Sequence, residues 1–138
     1  MKLKVIHSAR YKIAAVMNGD SCDLEAFFNE LSAKYNASAT GLFTLIDRIA
    51  KEGLDGLSSQ LWHMVDNNEK IFELIKGDLR LLFFKGNGDV LIIASHGFIK
   101  KSQKTPDKEK TKAIRHKKQY QTAHDQGSIR LVEESEEN

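Results

Sequence analysis

The fold turns on residues 70–95, KIFELIKGDLRLLFFKGNGDVLIIAS. Three apolar runs rich in Ile, Leu and Phe, at 70–75, 79–84 and 89–95, are parted by Lys76-Gly77-Asp78 and by Gly86-Asn87-Gly88. Gly and Asn tolerate the backbone of tight hairpin turns, and short runs of bulky apolar residues between such turns are strand formers. The stretch therefore reads as an antiparallel meander of three strands. Gly86-Asn87-Gly88 lies between two strands, not between a strand and a helix, so it reads as a hairpin turn and not as a phosphate-cradling loop.

Upstream of the meander the period changes to that of helices. Leu24, Phe27, Phe28, Leu31 and Tyr35 fall three and four residues apart. That spacing predicts one amphipathic helix over 22–36, with Ser21 as N-cap and Asp23 and Glu25 in its first turn. Leu42, Leu45, Ile46, Ile49 and Ala50 repeat the spacing over 38–52, and Gly53 stands where a left-handed C-terminal residue belongs. The two helices are expected to form a hairpin. Residues 54–68 read as a packed connection that tucks Leu57, Leu61 and Trp62 into the core, and residues 2–17 alternate weakly enough to hold at least one strand.

Downstream, Thr105-Pro106 supplies an N-cap followed by proline at the first helical position, opening a basic helix to about residue 123. Lys108, Lys112 and Arg115 share one of its faces, while Ala113 and Tyr120 share another that can dock on the sheet. From Gly127 the composition is that of an acidic tail, in which Ile129, Leu131 and Val132 could form a short strand. The fold class is α+β. At 138 residues, 41% hydrophobic and 29% charged, the chain has room for one core.

Several function classes are excluded or disfavoured. Cys22 is the only cysteine, so neither an intrachain disulfide nor a CxxC pair can form. No apolar run near the N-terminus has the length of a signal peptide core or a membrane span, so a cytoplasmic protein without membrane attachment is expected. Histidines at 7, 63, 96, 116 and 124 show no ligand-pair spacing, so no metal and no cofactor are expected. Ser95 lies in no nucleophile elbow.

The net charge of +2 conceals strong segregation. Residues 100–118 carry nine Lys or Arg against Asp107 and Glu109, whereas residues 119–138 carry only Arg130 against Asp125, Glu133, Glu134, Glu136 and Glu137. A basic density of this kind is either a footprint for a polyanion or a solvated charged helix. His96, Lys100 and Lys101 follow the third strand directly, which predicts that they are presented at the end of the sheet. Arg80 is the one charged residue inside 79–84, and a guanidinium there needs solvent or an anion. It either pairs with Glu73 or Asp89, or meets a ligand phosphate.

Glu73-Leu74, Leu79-Arg80-Leu81-Leu82-Phe83-Phe84, the run His96-Gly97-Phe98-Ile99-Lys100-Lys101-Ser102-Gln103-Lys104-Thr105-Pro106, and then Lys108-Glu109 and Ala113 carry a family resemblance. Over about residues 69–120 the chain resembles the phage Gp49-like, HigB-type branch of the RelE/ParE toxin superfamily. The resemblance implies a RelE-like domain over 1–123: a small antiparallel sheet, of the meander plus an N-terminal strand, flanked by the N-terminal helix pair and the basic helix. An acidic tail, 124–138, follows, and its glutamates could fold over the basic face.

The resemblance further implies a toxin of a type II toxin–antitoxin module, acting as a metal-independent, ribosome-associated mRNA endoribonuclease. Its partners would be mRNA and a HigA-like antitoxin encoded nearby. Arg80 matches the arginine of the second meander strand, Lys100 and Lys101 the basic pair after the third, and Lys104 the lysine before Thr-Pro. With His96 as general acid or base, Arg80, Lys100 and Lys101 would surround the scissile phosphate. Lys104, Lys108, Lys112 and Arg115 would hold the flanking RNA backbone. Ile75 stands where the family often carries arginine, and Lys76 beside it is the candidate substitute. Two other readings remain open: a ParE-like toxin that inhibits DNA gyrase by protein binding, and a non-catalytic phage nucleic-acid-binding protein.

Overall fold

In a computed structural model of the chain, residues 1–133 are described. The meander forms as the turns dictate: β5 (Ile71–Lys76), β6 (Leu79–Lys85) and β7 (Val90–Ile99) pair antiparallel. β7 is longer than the apolar run 89–95 indicates, because His96, Gly97, Phe98 and Ile99 continue the ladder opposite Leu82, Leu81, Arg80 and Leu79, with Ser95 the extra residue at an irregularity between Leu82 and Phe83.

The N-terminal stretch holds a hairpin, β1 (Lys2–Ser8) and β2 (Lys12–Asn18), followed by the two-residue β3 (Ser21–Cys22). The connection 54–68 contains a further strand, β4 (Trp62–Asp66), which pairs antiparallel with β5. Beyond the last helix, β8 (Arg130–Val132) pairs parallel with β1, so part of the segment read as a tail is an edge strand. Among the described residues the sheet runs β4-β5-β6-β7-β2-β1-β8, with β3 on β2. It is mixed, not the small antiparallel sheet expected, since β2 lies parallel to β7 and β8 parallel to β1. The acidic residues 134–138 lie outside the described residues.

Helices cover both faces. The single helix expected over 22–36 is broken: α1 (Asp23–Glu30) ends at Leu31 in extended backbone, and a 3₁₀ turn (Ala33–Tyr35) leads into α2 (Asn36–Glu52). Ser21 does not cap α1; it belongs to β3, and Cys22 occupies the cap position without a side-chain bond. Gly53 ends α2 at φ 82°, a left-handed backbone that costs a residue with a Cβ dearly. Leu24 of α1 and Leu42, Leu45, Ile46 and Ile49 of α2 pack with Leu74, Leu81, Phe83 and Ile92 on one face. Gly97 admits α1 to that face, since a Cβ there would lie 2.3 Å from the Phe27 ring.

The other face, with Ile71, Leu82, Phe84, Ile93 and Phe98, is covered by α3 (Asp107–Asp125), which buries Ala113 and Tyr120 as the heptad spacing requires. Thr105 is not the cap of α3. Pro106 takes that position, and the Thr105 hydroxyl instead donates to Glu73 Oε2 at 2.8 Å.

Candidate functional site

Two single charges interrupt the apolar strands of the meander, Glu73 in β5 and Arg80 in β6, and both project to the α3 face. Glu73 is fully buried. Its Oε1 lies 3.4 Å from Arg80 Nε, 3.8 Å from Lys100 Nζ and 3.3 Å from His63 Nε2. A buried carboxylate is tolerated when cations and hydrogen-bond donors surround it, and here they come from two strands, β4 and β6, and the loop after β7. Of the two partners open to Arg80 in the sequence, Glu73 is the one it meets; Asp89 lies 3.9 Å from Lys12 instead. The guanidinium is fixed further by donation from Arg80 Nη1 to the carbonyl oxygens of Gly77 at 2.7 Å and Leu79 at 2.9 Å.

Beside this cluster opens a cleft of about 600 Å³ at the end of the sheet, lined by Tyr35, Asp78, Arg80, Ile99, Lys100, Lys101, Ser102 and Gln103. Lys100 is held at its mouth by its backbone N–H, which donates to the Asp78 carbonyl at 2.8 Å. Arg80, Lys100 and, on an exposed loop, Lys101 carry three positive charges against the carboxylates of Glu73 and Asp78. The structure thus brings together Arg80, Lys100 and Lys101 as the sequence predicts. Lys104, also exposed, follows on the same loop.

The other expected site residues are placed differently. His96 is not presented at the end of the sheet, because β7 continues past it to Ile99 and α3 covers it. Its Nδ1 lies 2.8 Å from Ser95 Oγ, which is 2.7 Å from His116 Nδ1, and its Nε2 lies 3.2 Å from Glu109 Oε1. One hydroxyl proton serves only one imidazole, so a consistent neutral chain runs from His116 Nδ1–H to Ser95 Oγ, from Ser95 O–H to His96 Nδ1, and from His96 Nε2–H to Glu109. Burial first, then the charge of Lys112, lowers the His96 pKa to about 4. His116 is lowered to about 4 by burial and then by His96, Arg115 and Lys112.

Lys112 is engaged by Asp23 at the start of α1, at 2.8 Å, and this bond holds the Asp23 carboxyl below its ordinary range. Lys108 and Arg115 are exposed on α3. Lys76 lies on the opposite face from Arg80, with its side-chain carbons over Gly41 of α2, so it does not replace an arginine at Ile75. Two members of the Glu73 cluster, His63 and Thr105, carry no signal of their own in the sequence. Glu73 and Arg80 do, as lone charges in neighbouring apolar strands that pair two positions apart.

Among the described residues no group of three His, Cys, Asp or Glu side chains is placed to hold a metal ion, and no helix is long and apolar enough to cross a membrane. The family model for phage derived protein Gp49-like (DUF891) matches residues 26–118, a span that includes α2, the whole meander, the cleft loop and most of α3. The chain belongs to this Gp49-like family, which is part of the RelE/HigB-like toxin group. It is in that sense a toxin-like, phage-derived protein. The comparison with curated proteins finds no match.

Proposed function

We propose that the protein is the toxin of a type II toxin–antitoxin module and cleaves mRNA, on the ribosome, at the cleft beside Glu73. The observation that carries this reading is the convergence of Arg80, Lys100 and Lys101 on one open cleft, with more cationic charge than the carboxylates of Glu73 and Asp78 neutralise.

RNA can be cleaved without a metal, because the ribose 2′-hydroxyl is itself the nucleophile. The protein must align it with the phosphorus and stabilise the extra negative charge of the transition state. A fixed guanidinium and two ammonium groups supply that stabilisation at low reorganisation cost. Lys104 and Lys108 extend the positive surface along the flanking backbone, where contacts position RNA without reading its sequence. The requirement for a 2′-hydroxyl selects RNA over DNA. A HigA-like antitoxin encoded nearby would act by covering this basic cleft.

Induction in bacteria tests the reading. The wild-type chain is expected to arrest growth and deplete mRNA, while an Arg80→Ala, Lys101→Ala double variant does neither. Lys101→Glu alone, at an exposed position that leaves the fold intact, should abolish mRNA loss as well. Arrest with intact mRNA would sink the nuclease reading in favour of a protein target such as gyrase. Absence of arrest together with tight, salt-sensitive RNA binding would mark a binding protein.

A further inference from the structure

We propose that His63, on the edge strand β4, is the residue that takes the proton from the ribose 2′-hydroxyl, and that Glu73 is the positioning residue that holds its imidazole; this rests on the nuclease reading above. His63 stands directly opposite Glu73 in the β4–β5 ladder, with Nε2 3.3 Å from Oε1. The same oxygen meets Arg80 and Lys100, so the imidazole and the two cations that would grip the phosphate are grouped around one atom. Their accessibility differs in the useful sense. The His63 side chain is 43% exposed, whereas Arg80, Lys100 and Glu73 are 14%, 10% and 0% exposed.

Glu73 Oε1 is also a buried oxygen without a well-directed hydrogen bond, and its neighbour Arg80 Nε, 3.4 Å away, is in the same position on the donor side. Such an oxygen keeps a demand for a donor. A small rotation of His63 meets it: Nε2–H donates to Oε1, and the Nδ1 lone pair is left facing outward as a base. The carboxylate then stabilises the imidazolium that forms, in the manner of an acid–histidine pair. His96 cannot take this role, since both its ring nitrogens are engaged beneath α3.

In the step that follows, Nδ1 of His63 accepts the 2′-hydroxyl proton as O2′ bonds to phosphorus and the P–O5′ bond breaks. Lys101 gives a proton to the departing O5′ and regains one from water, while the imidazolium loses its proton to water. The products are a 2′,3′-cyclic phosphate and a 5′-hydroxyl.

The test is cleavage of a short message, free and ribosome-bound, by the purified full chain, its His63→Ala variant, and that variant with added imidazole. The expected result is a kcat lowered by about 10²- to 10⁴-fold, a KM close to that of the wild type, and partial recovery with imidazole. A His63→Ala kcat within threefold of wild type overturns the inference and leaves the nuclease reading standing. So does a loss that imidazole does not rescue, since that marks a structural role. A wild-type chain that releases no cyclic phosphate overturns both.

Discussion

The face of the sheet beneath α3 carries two polar clusters, and they solve the problem of burial in opposite ways. Around Glu73 the contacts of Oε1 are with the basic side chains of His63, Arg80 and Lys100 at 3.3–3.8 Å. Only Thr105 makes a short hydrogen bond, to Oε2 at 2.8 Å, and the cluster borders an open cleft. Around Ser95 they form a chain of hydrogen bonds between neutral imidazoles, at 2.7 and 2.8 Å, sealed beneath a helix. The sealed cluster satisfies each imidazole nitrogen that points inward and ties α3 to β7. The open one leaves surplus charge and an oxygen with an unmet demand. Saturated polar networks fix a structure, whereas unsaturated ones keep the capacity to bind.

The comparison breaks most visibly at Glu73. Glu73→Leu strands Arg80 and Lys100 as largely buried charges without that counterion, and urea denaturation should show a loss of about 3–5 kcal/mol. A loss below about 1 kcal/mol would mean that the cations already reach water. Ser95→Ala strands only neutral atoms, on His96 and His116, and should cost about 1–3 kcal/mol in the same measurement. If the two substitutions cost the same, the distinction between an ionic and a neutral cluster has no energetic content.

Acid sharpens the contrast with a smaller effect per unit. Both buried imidazoles take up a proton near 6.5 in the unfolded chain but only near 4 in the folded one. Between those values the unfolded state binds more protons. The contribution is therefore fully present above pH 6.5 and is lost as the pH falls toward 4, with a slope of up to about 1.4 kcal/mol per pH unit for each imidazole. Urea midpoints followed from pH 7 to pH 4 should show this slope in the wild type and a flatter one in His116→Gln. An unchanged slope in the variant would place the acid sensitivity elsewhere.

What the sequence discloses follows from how local each signal is. The meander is readable because its turns are spelled out by glycine and because each strand pairs with its neighbour in the chain. α2 is readable because its apolar stripe and Gly53 bound it on both sides. β4 is not, since an edge strand needs no apolar alternation and Trp62–Asp66 exposes His63 and Met64. The parallel pairing of β2 with β7 leaves no local trace at all.

The cations of the cleft are legible as charges that a strand end must present. The position of His96 is misread because a polar His-Gly pair resembles a strand terminus, whereas Ser95 and the overlying helix accommodate the polarity within the strand. His63 is missed because the residue that gives it meaning, Glu73, comes from the neighbouring strand.

The parallel seam between β2 and β7 also bears on how the molecule assembles. On either side of it the pairings are antiparallel and close short loops, β1 with β2 and β5 with β6 with β7. The seam itself joins Ala15 to Ala94, across most of the chain. Loop-closure entropy rises with the length of chain enclosed, and contacts of this range slow folding. Joining the two hairpin units at this seam, and seating β8 beside β1 across still more of the chain, are thus the slow contacts expected of this sheet. The meander, with Glu73, Arg80 and Lys100 already in register, needs only its own short turns to form.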